Sequence, residues 1–339
     1  MTQPLAPLPD RPLNVCVVGP GAIGGVIAAR LALAEKGGAL GAVSVVARGS
    51  HLKAIRTYGL RITTPDQPDP LALPVTAVEN PAELPPQDLV ITALKGHQIP
   101  AMAARLSRLL APHGRIMPVV NGVPWWYPLP DGQGGFHGAE EVDPGGVLWR
   151  DIGPERAIGA IAYFGASVPE PGLVALEIEG YLDIGRLPGE DRADVDRVAE
   201  LLRGAGWMIR TTEPYQNSLW TKLFSNCAFN SVAAVTRVAS ARAMQDPVLR
   251  ALAGDIMEEV RAIAAAEGAE IRMTTEKRLD LAERNASFKP STLQDLEKGR
   301  HMELEPIFGA TIAVAKARGI PCPKLELMTA ILRAVQETL

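Results

Sequence analysis

The sequence predicts an α/β chain in two parts, a doubly wound N-terminal domain followed by an all-α C-terminal domain. Three observations predict it. In the first half, β-branched apolar runs alternate with helical stretches, the pattern of a parallel sheet covered by helices. A glycine-rich turn joins the first strand to the first helix. From Pro214 onward nearly every stretch reads as helix, which places a domain boundary near residue 213.

Taken in order, residues 1–12 are proline-rich, lack the charged-then-apolar pattern of a signal segment, and read as a disordered leader. Strands are expected at 15–18, 43–47, 89–94 and 115–120, with helices at 22–35, 51–58 and 100–110. The unbroken apolar run at 89–94 suits a strand buried on both faces. From Gly122 to Arg156 the chain is rich in Gly, Pro and Trp and shows no periodicity, which marks a functional loop or a lid. Strands at 157–164, 173–178 and 181–184, a helix at 192–205 and an extended end at 207–212 complete a domain spanning 13–213. The domain at 214–339 is expected to hold helices at 216–236, 247–267, 274–284, 291–317 and 324–338. Asp246-Pro247 supplies an N-cap and a first-turn proline, and Gly319 with Pro321 a stop.

Composition narrows the function classes. Lys+Arg 34 against Asp+Glu 38 gives a net charge of -4, so the cationic surface that nucleic acid requires is missing. No apolar run reaches the roughly 18 residues of a membrane span. Cys16, Cys227 and Cys322 are odd in number and set in apolar contexts, as the reduced core thiols of a cytoplasmic protein are. The five histidines show no ligand spacing, so no metal is expected.

The first chemical signal is Gly19-Pro20-Gly21-Ala22-Ile23-Gly24, a G-x-G-x-x-G placed directly after an apolar strand and before a helix. The first glycine makes the tight turn, Gly21 lets the backbone approach a pyrophosphate, and Gly24 lets helix and strand pack closely. The helix N-terminus then faces the anion with N–H groups and its dipole. This is the fingerprint of a Rossmann-type dinucleotide domain. A site for NAD usually carries Asp or Glu after the second strand, yet Arg48 stands there, followed by Ser50. A guanidinium at that place can bind a 2′-phosphate, so NADP(H) is the expected cofactor.

The second signal is Lys222, Asn226 and Asn230 at i, i+4 and i+8, on one helix face flanked by Leu223, Phe224, Cys227 and Phe229. A solvent-exposed stripe accounts for the spacing equally well. Alternatively the face is a site directed at the dinucleotide, where a desolvated lysine protonates a carbonyl oxygen and the amides hold a carboxylate and a hydroxyl. Such groups suit reduction of a small-molecule 2-oxo acid.

Together with Asp88-Leu89-Val90 leading to Lys95, Asn121-Gly122, W-x-K-L-x-x-N-x-x-x-N at 220–230, and S-x-L-Q-D at 291–295 followed by Glu303, these motifs resemble the ketopantoate reductases, the 2-dehydropantoate 2-reductases of pantothenate biosynthesis. The resemblance implies a Rossmann domain plus a helical domain of the 6-phosphogluconate dehydrogenase C-terminal type. It implies Lys222 as proton donor and Asn226, Asn230 and Ser291 as substrate contacts. Asn121 would lie by nicotinamide and substrate, and Arg48, Lys95 and Glu303 would contact cofactor. Local alternatives stand beside these roles: Ser291 as a helix cap, Lys95 as a solvated strand end, Asn121-Gly122 as a turn, and Glu303 as a partner of Arg300. The departures are the long segment after Asn121 with its Trp125-Trp126 pair, and Val238-Ala239-Ser240, which matches the family's last substrate turn loosely. A reductase of a bulkier 2-oxo or 3-oxo acid, with the tryptophans lining the pocket, is one rival; packing of the pair is its counterpart. A non-catalytic NADP-binding sensor is the rival from another class, and a homodimer is a candidate assembly.

Overall fold

The computed structural model describes residues 5–34, 40–187, 192–285 and 289–339. Two compact units result, Met1–Val120 with Val147–Tyr215, and Asn121–Gly146 with Gln216–Leu339. A division near residue 213 differs from this mainly in one segment: 121–146 leaves the first unit and folds with the second.

The first unit opens with β1 (Leu13–Val18), α1 (Ala22–Leu33), β2 (Leu40–Val46) and α2 (Gly49–Tyr58). It continues with β3 (Leu60–Thr64), β4 (Gln67–Leu73), β5 (Thr76–Val78), β6 (Gln87–Thr92), α3 (Ala103–Leu109) and β7 (Leu110–Pro118). The end of the expected 22–35 helix, Glu35, lies outside the described residues. A parallel sheet runs in the order β5-β2-β1-β6-β7. The chain winds outward from β1 on one side, then starts again at β6 on the other. The switch point therefore falls between β1 and β6, where Ala93 N–H donates to Val18 O at 2.9 Å. Every residue of β6 is buried, as its apolar run implies.

Two further strands, β8 (Leu129–Pro130) and β9 (Phe136–His137), form a short antiparallel pair within the second unit. The first unit then resumes with α4 (Val147–Asp151), β10 (Gly159–Glu170), β11 (Leu173–Gly185), α5 (Ala193–Gly204) and β12 (Met208–Arg210). β11 is one strand where two were expected. A second sheet has the order β10-β11-β3-β4, with β12 on β11. Strands β3 to β5 were not foreseen, because Pro68 and Pro70 in β4 argue against a strand and are tolerated only on its exposed edge.

Residues 5–12 carry no secondary structure but make specific contacts, which corrects the disordered leader for that part; residues 1–4 lie outside the described residues. Arg11 grips the buried Asp88 carboxylate at 2.7 and 3.0 Å. Asn14 N–H and His113 Nε2 bind the same carboxylate at 2.8 and 2.6 Å. Burial opposes ionisation of Asp88, but these bonds win and hold its pKa below the ordinary value. A second buried carboxylate, Asp194, is likewise held down against burial by Arg186 and Arg115.

Helices dominate the second unit: α6 (Tyr215–Thr236), α7 (Ser240–Met244), α8 (Pro247–Ala266), α9 (Thr275–Arg284), α10 (Ser291–Glu297), α11 (Ala310–Arg318) and α12 (Pro323–Gln336). Asp246 caps α8 by accepting from Val248 and Leu249 N–H. The expected single helix at 291–317 is broken. Gly299 takes φ +60° after α10, and the chain resumes through a π-helical turn, Glu305–Gly309, whose Pro306 has no N–H to continue a ladder. Trp220, Phe224, Phe229 and Phe308 are fully buried. Against this core the 121–146 segment lays Trp125 and Trp126, edge to face at 5.6 Å and 2% and 3% exposed. Tyr127 OH donates to Glu267 at 2.6 Å and accepts from Trp220 Nε1 at 3.1 Å. The start of the segment read as a loop or lid, residues 122–127, is thus core, and its tryptophans pack, while residues 130–137 run mostly exposed.

Candidate active site

The glycine turn has the backbone geometry expected at Gly19 and Gly24. Gly19 sits at φ +85°, and a Cβ there would lie 2.7 Å from Leu94. A Cβ on Gly24 would lie 2.4 Å from Gly19 O and 2.7 Å from Ala93, so only glycine lets α1 approach the turn. Gly21, by contrast, has nothing within 4 Å of a Cβ position. It is the N-cap of α1, no side chain caps the helix, and no acid stands in its first turn with Ala22 and Ile23. Open space before uncapped N–H groups is what a diphosphate fits. Gly25, which the motif omits, lets α1 meet β11: its Cβ would lie 2.4 Å from Val174.

Pro20 is held from the side by a residue that no motif marked. His51 Nδ1 accepts from Gly172 N–H at 3.0 Å, so the proton is on Nε2, which donates to Pro20 O at 2.7 Å. Arg48 is exposed as the N-cap residue of α2, and its guanidinium has no ion pair or hydrogen bond among the described residues. No acid follows β2 before it. The cradle and the free cation fit a phosphorylated dinucleotide. Lys95 is half-buried just after Leu94, and its N–H donates to Gln98 at 3.2 Å.

The remaining groups belong to the second unit. Lys222 is half-buried on α6; burial pulls its pKa down to about 8, with the Glu303 charge opposing. Asn121 Nδ2 donates to Glu303 Oε2 at 3.3 Å. Glu303, which the resemblance gives to the cofactor, therefore stands by Asn121 and acts on Lys222. Asn121 is fixed from behind, because Gly122 at φ +93° passes so close to Pro306 that a Cβ would be 2.1 Å from its O, and Val123 N–H donates to Pro306 O at 2.8 Å. Asn226 is half-buried and Asn230 is 3% exposed with a buried Nδ2 that has no partner among the described residues. Ser291 is exposed at the first residue of α10; Pro290 is the N-cap and no side chain caps, which removes capping as the reason for the serine. Ser240 Oγ is also buried without a partner among those residues. Arg278 on α9, unmarked in the sequence, donates from Nε to Ser225 at 2.7 Å.

Both halves of the chain resemble known proteins. The family described as "Ketopantoate reductase PanE/ApbA" matches residues 15–189, and its C-terminal counterpart matches residues 215–336. A 2-dehydropantoate 2-reductase of Mesorhizobium japonicum is 34% identical over 331 residues, covering 95% of this chain and 97% of that protein. The crystal structure of 2-dehydropantoate 2-reductase from Geobacter metallireducens GS-15 superimposes with TM-score 0.80 at 26% identity, covering 96% and 99% of the two chains. D-mandelate dehydrogenase in complex with NADH and anilino(oxo)acetate shares the fold at 19% identity and TM-score 0.79, with 96% and 99% covered. With both halves matched in order around a dinucleotide turn and a lysine–asparagine helix, the chain belongs to the ketopantoate reductase family and is an oxidoreductase acting on a CH–OH group.

Proposed function

We propose that the protein reduces 2-dehydropantoate to pantoate with NADPH, as a cytoplasmic step of pantothenate biosynthesis, with Lys222 as general acid. The observation that carries the reading is a lysine whose pKa lies near 8 on a helix face shared with two asparagines, one of them holding an unpartnered buried amide. The residues that would hold NADPH are the Gly19–Gly24 turn at the diphosphate and Arg48 at the 2′-phosphate, with Lys95, Asn121 and Glu303 as further contacts. When bound, that cofactor supplies a hydride to a carbonyl carbon.

The chain's own groups do the rest. Lys222 Nζ gives a proton to the C2 oxygen as negative charge develops there, and recovers it from solvent. Burial lowers the cost of giving up that proton, while Glu303 keeps the ammonium charged near neutral pH. Asn121, by bonding Glu303, fixes that carboxylate. Asn226, Asn230 and Ser291 donate to substrate oxygens, which satisfies the amide that is otherwise orphaned. Buried thiols at Cys16, Cys227 and Cys322 suit a reducing compartment.

The test is NADPH oxidation with 2-dehydropantoate beside other branched 2-oxo acids, repeated with NADH. Turnover should be fastest with 2-dehydropantoate and NADPH, and Lys222→Ala should lower kcat about 10²- to 10⁴-fold with NADPH affinity nearly intact. Unchanged turnover in that variant rejects the assignment.

A further inference from the structure

Arg278 carries a charge that nothing in the described structure balances. Its interactions are the Nε bond to Ser225 Oγ at 2.7 Å and a position 4.7 Å over the Phe229 ring. The acids of its own helix are committed elsewhere, since Glu276, Asp280 and Glu283 all pair with Arg250 on α8. Burial alone acts on its ionisation, easing the guanidinium below its ordinary range. A desolvated cation without a counter-ion is costly. It is tolerable in a protein where the counter-ion is a ligand.

Its location names the ligand. Ser225 and Phe229 stand at i+3 and i+7 from Lys222, on the side of that lysine turned away from Asn226 and Asn230. The guanidinium therefore flanks the Lys222 edge of the stripe, anchored through Nε and stacked on an aromatic ring. Its two Nη groups make no bond among the described residues. They present the planar fork that matches a carboxylate in bidentate geometry.

We infer that Arg278 binds the C1 carboxylate of the 2-oxo acid, held in place by Ser225 and Phe229, while Lys222 serves the adjacent C2 oxygen. The inference rests on the proposed function for the identity of the acid, and on the contacts above for the cation. Arg278 is then what makes the site select acids over their neutral analogues.

The experiment compares 2-dehydropantoate and 2-oxoisovalerate with the methyl ester of the latter, in the wild type and in Arg278→Met, Arg278→Lys and Ser225→Ala. Arg278→Met should raise KM for both acids about 10- to 100-fold, the range of hydrogen bonds to charged groups, with kcat changed only a few-fold. The ester KM should move less than about two-fold, and Arg278→Lys should recover part of the loss. NADPH affinity, read by fluorescence, should be unchanged in all variants. If Arg278→Met does not fold, Arg278→Lys and Ser225→Ala decide, each expected to weaken acids selectively by a few-fold. Equal losses for acid and ester, or unchanged KM for acids in a folded variant, overturn the inference. A wild type inert toward every 2-oxo acid overturns the proposed function instead. Calorimetric binding of pantoate to the wild type but not to Arg278→Met would still support the arginine's role, and binding equal in the two would overturn it.

Discussion

Lys222 is pulled two ways, and each pull has its own measurement. Its pKa falls to about 8 through burial, against the charge of Glu303. The acid must carry its proton, so kcat should be level below about pH 8 and fall above it. Removing the opposing charge with Glu303→Gln should shift that alkaline limb to lower pH, visible in a kcat–pH profile. Stability moves with the opposite sign from an ordinary ion pair. Between pH 8 and 10.5 the unfolded chain binds the proton that the folded chain has lost, so the penalty is complete below about 8 and fades as pH rises. Lys222→Met should therefore lose turnover without a lower thermal midpoint at pH 7. At Arg48, whose side chain has no competing partner among the described residues, Arg48→Ala should raise KM for NADPH about 10- to 100-fold while leaving NADH nearly unaffected. The Lys222 face was legible because its i, i+4, i+8 spacing is local. Arg278 was not, since on a helix crowded with Glu276, Lys277, Asp280 and Glu283 it looks like any solvated charge. Only the tertiary diversion of those acids to Arg250 sets it apart.

Whole elements place these residues, and small side-chain additions test the placement. Gly21→Ala meets open space and should leave folding intact while weakening NADPH, whereas Gly24→Ala drives into Gly19 O and should cost stability as well. A denaturation midpoint beside a cofactor titration separates the two. His51 clamps Pro20 O to Gly172, so His51→Ala should weaken NADPH about tenfold, with kcat at saturation little changed. The sequence displayed the glycine turn because its three demands fall within six residues. It concealed the clamp, whose partner Gly172 lies 121 residues away. Periodicity also misled at 291–317. Leu304, Ile307 and Phe308 stand at i, i+3 and i+4 and are all buried, yet α10 ends at Glu297 and helix resumes only after residue 303. That interruption matters, because Glu303 falls in the irregular stretch before the π-helical turn, beside the Gly122–Pro306 contact that fixes Asn121. Gly122→Ala should therefore lower kcat and weaken NADPH together, through loss of the Asn121–Glu303 bond, as steady-state kinetics beside a cofactor titration would show.

At the scale of the molecule, stability at low pH depends on two buried carboxylates of the first unit. Asp88 and Asp194 both have pKa values lowered by their partners. Their contribution is complete above the unfolded carboxylate value near 4 and is lost as pH falls through the lowered native values. A thermal midpoint followed against pH should thus begin its decline at about pH 4. Asp194→Asn leaves Arg115 and Arg186 buried without their counter-ion, at a cost of about 3–5 kcal/mol. The two-part architecture was readable from the change in pattern near residue 213. The excursion at 121–146 was not, since a segment packed by Trp125, Trp126 and Tyr127 has neither helical nor strand period. Because of that excursion the backbone passes between the units at 120–121, 146–147 and 215–216. The consequence is evolutionary. A recombination event at the start of α6 would hand a recipient a helical half whose Trp220 and Glu267 still require the donor's Tyr127, so the two halves of this gene are expected to descend together and not by exchange of modules.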